Sequence, residues 1–143
     1  MKRLDDDRFE LHFVTPEDPV GYAGAGLPSG QFHHVSKITT LADSTFLQKL
    51  LNTVRCFVDS YRVMKEVKPD AVVCIASPIA IPLCVCAKLF GKRTVFIESI
   101  TRVSEPSLTG KILSVLRLCD RFYVQWPEAE QLYRGALYRG ALL

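Results

Sequence analysis

Short apolar runs rich in β-branched residues alternate along this chain with segments of helical periodicity. The clearest run, Ala71–Ala76, has the continuous apolar character of a strand that is covered on both faces. A helix is predicted before it, from Asp43-Ser44 to about Val67, because apolar residues recur there at three- and four-residue steps. The elements predicted after it are a helix at Ser77–Gly91, a strand at Thr94–Ile97, a helix at Thr109–Leu118, a strand at Phe122–Val124 and a helix at Pro127–Tyr133.

Two further strands are predicted near the amino terminus, at Phe9–Val14 and Phe32–Ile38, with a glycine-rich loop, Gly21–Gly30, between them. The whole alternation predicts one α/β domain, residues 1–143, with a Rossmann-like parallel sheet and helices on both faces. In the common strand order of such sheets the first strand is central, yet the first eight residues hold a single apolar anchor, Leu4. We therefore expect a shortened domain that lacks the usual first strand.

The composition excludes several classes of protein. With 48% hydrophobic and 23% charged residues, the chain is not of the disordered type. The net charge of +3 comes from scattered cations, which does not favour nucleic-acid binding. The longest apolar stretch, Ile79–Phe90, is interrupted by Pro82 and Lys88 and is shorter than the roughly 20 residues that a membrane helix needs. Neither a signal peptide nor a spanning helix is predicted.

The five cysteines do not form a disulfide framework. Their number is odd, and most lie in apolar runs, so we expect buried free thiols in a reducing compartment. Cys84-Val85-Cys86 has no second Cys or His pair at zinc-site spacing. The adjacent His33 and His34 would point to opposite faces of a strand, which makes them a poor chelating pair. The sequence predicts no metal and no cofactor.

Polar residues follow two of the predicted strands at the point where each strand ends. Glu98-Ser99 follows Thr94–Ile97, and Gln125-Trp126 follows Phe122–Val124. Ligands of open parallel sheets bind outside the carboxyl ends of the strands. The sequence therefore predicts that this edge meets a polar ligand. The candidate residues at these strand ends and in the loop after Glu98 are Glu98, Ser99, Arg102, Ser107, Thr109, Gly110, Lys111, Gln125 and Trp126.

The segment Ser107–Lys111 has the look of a phosphate loop but does not meet its requirements. Such a loop needs a glycine five positions before the Gly-Lys pair and Ser or Thr after it, and these positions hold Glu105 and Ile112. Ser107 or Thr109 can instead cap the helix that follows. Free amide groups at that helix start can meet an anion.

Glu98 and Trp126 each allow more than one interpretation. The Glu98 carboxylate can act as a base, bind sugar hydroxyls or pair with Arg102, and the spacing favours the ion pair. Trp126 can cover the apolar face of a sugar or pack at the rim of the sheet. The sequence contains no evident Ser/His/Asp set and assigns no catalytic residue.

These motifs resemble a known family, the PssD family of bacterial polysaccharide glycosyltransferase subunits. They also occur in its eukaryotic relative, the membrane-anchoring subunit of the dolichol-linked N-acetylglucosaminyltransferase. The resemblance covers about Val63 to Gly140. It is carried by Ile97-Glu98-Ser99, Arg102-Val103, Ser107–Lys111 and Val124-Gln125-Trp126, together with Lys68-Pro69-Asp70, Pro82, Ala87–Lys92, Tyr138 and Gly140.

The resemblance implies the amino-terminal half of a GT-B glycosyltransferase that is divided into two chains. This chain would handle the membrane and a polyprenyl-diphosphate-linked acceptor, at the cytoplasmic face of the membrane and without spanning it. A small partner subunit would be the carboxyl-terminal half and bind the UDP-sugar. The candidate residues named above would line the cleft between the halves. Peripheral membrane contact would involve the helix at Ile79–Phe90.

Two departures from the family pattern fall at the cleft. Family members open with a strand and a Gly-Gly-His loop, which this chain lacks, so a general base on that His has no counterpart. Relatives also carry a glycine-containing turn where this chain has Ala76-Ser77-Pro78. Two alternatives therefore stay open: a non-catalytic docking scaffold for the donor-binding subunit, and a free-standing Rossmann-like nucleotide binder.

Overall fold

The structure, a computed structural model, describes residues 9–16, 30–38 and 46–141. The chain forms two compact units that meet in sequence between Val67 and Lys68. The first contains strands β1 (His12–Thr15) and β2 (Gln31–His34) and helix α1 (Phe46–Val67). The second contains β3 (Ala71–Ile75), α2 (Ala80–Leu89), β4 (Arg93–Ile97), α3 (Leu108–Val115), β5 (Arg121–Val124), a 3-10 helix (Pro127–Leu132) and β6 (Ala136–Tyr138).

The second unit is a four-stranded parallel sheet with the order β3-β4-β5-β6. Each connection between neighbouring strands passes through a helix, as parallel pairing requires. Gly91 ends the crossover helix α2 with a φ of +65°, and its N–H donates to the Lys88 carbonyl at 3.0 Å. A glycine is suited to this position because residues with a side chain rarely adopt positive φ.

One face of this sheet forms the core of the second unit. Cys74, Phe96 and Phe122 lie side by side on β3, β4 and β5 and are nearly inaccessible to solvent. The rings of Phe96 and Phe122 lie 4.9 Å apart, and Phe122 lies 4.8 Å from Tyr133. Helix α2 packs on β3 and β4 and against α3. This packing fixes the carboxyl ends of β4 and β5 next to each other.

The first unit is built on one parallel pair, β1 and β2. Phe13 stacks on Phe32 across the pair, and His12 Nδ1 lies 3.0 Å from His33 Nε2. After β2, both the N–H and the hydroxyl of Ser36 donate to Asp59 on α1, at 3.0 and 2.6 Å. These bonds tie α1 to the end of β2.

The predicted order of elements is confirmed wherever the structure describes it. The observed bounds differ from the predicted ones by a few residues, and the last helix is of the 3-10 type. Strand β6 was missed, because its sequence lies in a five-residue repeat, Tyr133–Leu137 and Tyr138–Leu142, that carries no strand pattern. The expectations for residues 1–8, for Gly21–Ser29 and for the Asp43-Ser44 cap lie outside the described residues, and the single domain stays a prediction.

One expectation about burial is wrong. Strand β3 is not covered on both faces, because Val73 and Ile75 are 59% and 61% exposed; β3 is an edge strand of its sheet. Helix α2, for which we expect membrane contact, leaves Lys88 and Leu89 exposed, and this contact stays a prediction. Its buried side chains are Ala80, Pro82, Leu83, Cys84, Cys86 and Ala87.

The cysteines are free thiols, as expected. The sulfur of Cys84 lies 4.0 Å from that of Cys74 and 3.8 Å from that of Cys119. The hydrogen bond with Cys84, followed by burial, raises the pKa of the Cys119 thiol well above its ordinary value. These sulfurs therefore act as packing groups, since thiolate chemistry requires a low pKa.

Ala76, directly after β3, has a φ of +38°. A left-handed conformation costs a residue with a β-carbon about 1–2 kcal/mol, while glycine loses about 0.5–1 kcal/mol more chain entropy than alanine on folding. We expect Ala76→Gly to raise the free energy of unfolding by about 0.5–1 kcal/mol in urea titrations. Ala87→Gly, inside α2, is the matched control and should lose at least about 1 kcal/mol. A lower free energy of unfolding for Ala76→Gly than for the natural protein would contradict backbone strain at Ala76.

Candidate functional site

Glu98 is the first residue after β4, and its side chain is only 1% exposed. Its N–H donates to the Tyr123 carbonyl at 2.9 Å, and its own carbonyl accepts from Gln125 Nε2 at 2.9 Å. The peptide groups of Glu98 thus bridge the ends of β4 and β5. The side chain is directed into the protein and away from the solvent at the rim.

Three donors surround the Glu98 carboxylate. The hydroxyls of Ser107 and Tyr133 both donate to Oε2 at 2.6 Å, and the Ser99 N–H donates to Oε1 at 2.9 Å. Hydroxyl-to-oxygen distances of this length are typical of bonds to an ionised acceptor. A buried carboxylate is costly unless it is hydrogen-bonded, so these donors are what make Glu98 tolerable at this position.

Tyr133 links the site to the region after the 3-10 helix. Its hydroxyl also accepts the Ser107 N–H at 2.7 Å. Burial, and then the hydrogen bond to Glu98, raise the pKa of the Tyr133 phenol above its ordinary value. Deprotonation would place a second negative charge beside a buried carboxylate and remove a donor, so the network requires the neutral phenol.

Ser107 caps helix α3 and joins it to Glu98. Its Oγ accepts from the Gly110 N–H at 2.9 Å while donating to the carboxylate. A β-carbon at Gly110 would lie 2.4 Å from Glu98 Oε2 and 2.7 Å from Tyr133 Cε1. Glycine is therefore required here by space, because α3 begins in direct contact with the buried network.

The first residues of the loop after Glu98 are held by hydrogen bonds within the loop and from Trp126. Ser99 Oγ lies 2.8 Å from Thr101 Oγ1, and the Arg102 N–H donates to the Ser99 carbonyl at 3.1 Å. The indole N–H of Trp126 donates to the Ile100 carbonyl at 2.6 Å. Trp126 therefore orients this loop from β5, which supports the interpretation that it packs at the rim.

The structure brings five of the predicted residues into one hydrogen-bonded cluster: Glu98, Ser99, Ser107, Gly110 and Gln125. The expected ion pair of Glu98 with Arg102 is wrong. Over residues 46–141, the carboxylate contacts hydroxyls and an amide rather than a cation, and Arg102 and Lys111 are exposed. The physical reason is that Glu98 points inward, whereas Arg102 lies on the solvent side of the loop.

Tyr133 was not among the predicted site residues. It lies 35 residues from Glu98 along the chain, and no local motif connects them. The signal that could have found it is chemical. A carboxylate expected at the end of a buried strand needs donors, and Tyr133 is the tyrosine that ends the last predicted helix.

The arrangement restricts what each group can do chemically. Glu98 is only 1% exposed and both of its oxygens accept hydrogen bonds from its own chain, so in this structure it positions the loop and α3. The groups left for an external molecule are on the outside of the cluster: Arg102, Lys111 and the partly exposed Thr109. Exposed guanidinium and ammonium groups suit an anionic ligand such as a phosphate.

Other features of the described residues give no second site. No group of three or more metal-binding side chains occurs among them. A cleft of about 270 Å³ lies beside Leu113, Arg117 and Asp120, near the start of β5 and so at the opposite end from Glu98. Within the described ranges, no helix combines the length and apolar character needed to cross a bilayer.

Comparison with known proteins gives a consistent picture. A family model described as "Oligosaccharide biosynthesis protein Alg14 like" matches residues 24–142. Two relatives, both named UDP-N-acetylglucosamine transferase subunit ALG14, are from mouse and human. The mouse protein is 33% identical over 81% of this chain and 55% of its own length; the human protein is 39% identical over 59% and 41%. The chain thus spans about half the length of these relatives.

A solved structure, MurG of Acinetobacter baumannii, superposes with a TM-score of 0.65 at 14% identity. The superposition covers 94% of this chain and 37% of MurG. At that identity the likeness concerns the fold alone. It confirms the predicted fold class, a Rossmann-like α/β domain with a parallel sheet.

Gly110→Ala tests the close approach of α3 to Glu98. The added methyl group would overlap the carboxylate, and we expect a loss of about 1–3 kcal/mol in the free energy of unfolding. Thr109→Ala, at the preceding position, adds no atom and should change stability by less than about 0.5 kcal/mol. If the two variants have equal free energies of unfolding in urea titrations, Gly110 does not lie in close contact with the Glu98 carboxylate.

Tyr133→Phe tests the hydroxyl network through pH. Because the phenol pKa is raised in the folded state, its stabilising effect is complete below the unfolded value, about pH 10, and is lost as pH rises through the folded value. We expect Tyr133→Phe to cost about 1–3 kcal/mol at neutral pH, since the Ser107 N–H loses its acceptor. The difference in free energy of unfolding between Tyr133→Phe and the natural protein should then become smaller at alkaline pH. If this difference stays constant as the pH rises above about 10, the Tyr133 hydroxyl is not coupled to folding in this way.

Proposed function

Because this chain belongs to the Alg14-like family of oligosaccharide biosynthesis proteins, we propose that it is the acceptor-side subunit of a two-chain UDP-sugar glycosyltransferase. In this proposal it adds a sugar to a lipid-diphosphate-linked glycan together with a small donor-binding partner. It lies at the cytoplasmic face of the membrane as a peripheral protein. The likeness to the eukaryotic subunit named from the sequence motifs is confirmed; membership of the bacterial PssD family remains part of the proposal.

The observation that carries the proposal is the Glu98 network at the carboxyl ends of β4 and β5. The expected ligand edge of the sheet is built around a buried carboxylate that holds the loop after β4 and the start of α3 in place. A rigid rim of this kind suits a cleft wall that a second protein completes, since binding groups work best on fixed supports.

The exposed cations at this rim have a specific place in the proposal. Arg102 is fixed through its backbone by Ser99, and Lys111 lies one position after Gly110 in the first turn of α3. Both side chains project from parts of the chain that the buried network immobilises. We assign them to the diphosphate of the acceptor or of the UDP-sugar, because Arg and Lys recognise phosphate oxygens by charge-assisted hydrogen bonds.

The relatives named above are called UDP-N-acetylglucosamine transferase subunits. We therefore choose UDP-N-acetylglucosamine as the first donor to test. We place the catalytic base outside Glu98, since this carboxylate is buried and hydrogen-bonded within the chain. This last point also favours a second candidate, a docking scaffold that supplies no reacting group.

Arg102→Ala tests the cleft. The residue is exposed and Glu98 is not its partner, so stability should change by less than about 0.5 kcal/mol. Transfer of labelled N-acetylglucosamine to a polyprenyl-diphosphate acceptor, measured with the co-expressed donor-binding subunit, should fall about tenfold or more because a contact to a charged group is worth about 1.5–3 kcal/mol. Arg93→Ala, an exposed arginine at the opposite end of β4, is the matched control and should leave transfer unchanged.

The same experiment separates the candidates. Unchanged transfer by Arg102→Ala, with the complex intact, would remove Arg102 from the cleft. An intact complex that transfers nothing even with the natural sequence, across the acceptors supplied, would favour the scaffold. Tight binding of UDP by this chain in the absence of its partner would instead favour a free-standing nucleotide binder.

A further inference from the structure

Strand β3 ends the four-stranded sheet on one side, and its outer side is open. The Ala76 N–H donates to the Ile97 carbonyl on β4 at 3.0 Å. Because backbone groups alternate sides along a strand, those of every second residue before Ala76 also point to β4. The N–H and C=O groups of Ala71, Val73 and Ile75 therefore point away from the sheet. Over the part of the chain that the structure describes, no hydrogen bond reaches them. We call this side of the strand the open edge of β3.

The opposite edge of the sheet, β6, is protected. This strand has three residues, and the Tyr138 N–H is taken by the carboxylate of Glu130. Arg139 and then Gly140, with a φ of +97°, follow it. Folded proteins protect sheet edges with short strands, charged side chains, prolines and bulges, since an open edge is a template for another strand. Strand β3 has no charged residue and no proline, and its register with β4 contains no bulge.

The side chains along the open edge are apolar and accessible. Val73 and Ile75 share one face of the sheet and are more than half exposed. Val95 and Ile97 lie beside them on β4 and are half-buried. The open edge therefore adjoins a continuous apolar face. A strand added there would pair its backbone with β3 and would also shelter Val73 and Ile75 with its own side chains on that face.

The open edge of β3 is complementary to a second copy of itself. In an antiparallel pair centred on Val73, Ala71 of one copy lies opposite Ile75 of the other. All three outward residues then form hydrogen-bonded pairs, so every free N–H and C=O of both strands is satisfied. Any other antiparallel register leaves some of these groups unpaired. A two-fold axis at Val73 closes the assembly at two chains.

No charge opposes this pairing. The five residues of β3 are uncharged, and Asp70, which immediately precedes the strand, is the acidic residue nearest to it in sequence. With a rise of about 3.4 Å per residue, Asp70 and its counterpart in the other copy lie about 20 Å apart, which exceeds the screening length of about 8–10 Å.

The helices beside the open edge also fit a pair of copies. Helix α2 packs on both β3 and β4, and the two-fold axis leaves both copies of α2 on the same face of the joined sheet. Strands lie about 4.8 Å apart, so the two copies of α2 lie about 10 Å apart. This is the separation at which helices pack against each other.

We propose that two copies of this chain associate through β3 in antiparallel orientation, which joins two four-stranded sheets into one of eight strands. The partner is a second copy because the outward groups, the lack of charge and the two-fold register all match within this one strand. The two Glu98 networks then lie at opposite ends of the joined sheet, since antiparallel strands have their carboxyl ends in opposite directions. Each copy keeps its own rim free.

The test is the oligomeric state of the full chain, measured by sedimentation equilibrium over a range of concentrations. We expect a monomer–dimer equilibrium. Val73→Lys puts two like charges opposite each other at the two-fold axis and should weaken the dimer about tenfold or more. Val115→Lys makes the same change at a residue of α3 that is 71% exposed, and it should leave the dimer unchanged.

A charge reversal protects this test against misfolding of the variant. Val73→Glu alone should also weaken the dimer, whereas an equimolar mixture of Val73→Glu and Val73→Lys places opposite charges at the axis. The mixture should regain the dimer, with one chain of each kind. A misfolded chain would not be rescued in this way.

Disulfide cross-linking tests the register of the pair. Residues of a hydrogen-bonded antiparallel pair have Cα atoms about 5.5 Å apart, which suits a disulfide. Val73→Cys should therefore form a covalent dimer under mild oxidation, above the background from the natural cysteines. Ile75→Cys is on the same face and similarly exposed, but its two copies lie about 14 Å apart and should stay unlinked.

Three results would overturn the proposal. They are a natural chain that stays monomeric at all concentrations, a dimer that Val73→Lys does not weaken, and cross-linking of Ile75→Cys as efficient as that of Val73→Cys. Loss of the donor-binding subunit from Val73→Lys, with the natural chain monomeric, would show that the open edge receives a different protein. These measurements use no sugar nucleotide or acceptor, so their outcome is separate from that of the transfer assay.

Discussion

A single buried carboxylate organises the edge of the sheet where β4 and β5 end. Glu98 accepts from Ser99, Ser107 and Tyr133, and its backbone joins the ends of β4 and β5. The loop after β4, the start of α3 and the region after the 3-10 helix therefore meet at one charged group. A buried charge is tolerated only with its full set of donors, so each of these segments depends on the position of the others.

The Glu98 network divides the residues at this edge of the sheet into a buried supporting group and an exposed group. The residues that hold the cluster together point inward, and Arg102 and Lys111, which we propose as ligand-binding residues, are exposed. A binding surface is precise when the groups that touch the ligand are supported by a rigid layer behind them. This chain provides such a layer with one carboxylate, two hydroxyls and a glycine.

The element order and the gathering of polar residues at the carboxyl ends of β4 and β5 could be predicted from the sequence, because both depend on local periodicity and on where polar residues follow apolar runs. Glu98, Ser107 and Gly110 were found in this way. Their partner Tyr133 and strand β6 were not, because neither carries a local signal and their contacts join distant parts of the chain. The choice between Arg102 and two hydroxyls as partners of Glu98 depends on side-chain direction, which spacing does not fix. Likewise, the helical spacing of α1 predicts a helix but not which of its apolar residues are buried.

The separation of Glu98 and Tyr133 by 35 residues also bears on how the second unit folds. Before β4, α3 and the segment after β5 have come together, the carboxylate lacks its donors, and an intermediate that buried it early would be penalised. A folding path that keeps Glu98 hydrated until its donors are in place avoids this penalty. The network therefore makes the acquisition of structure at this edge all-or-none: a partly folded chain does not present a half-formed rim.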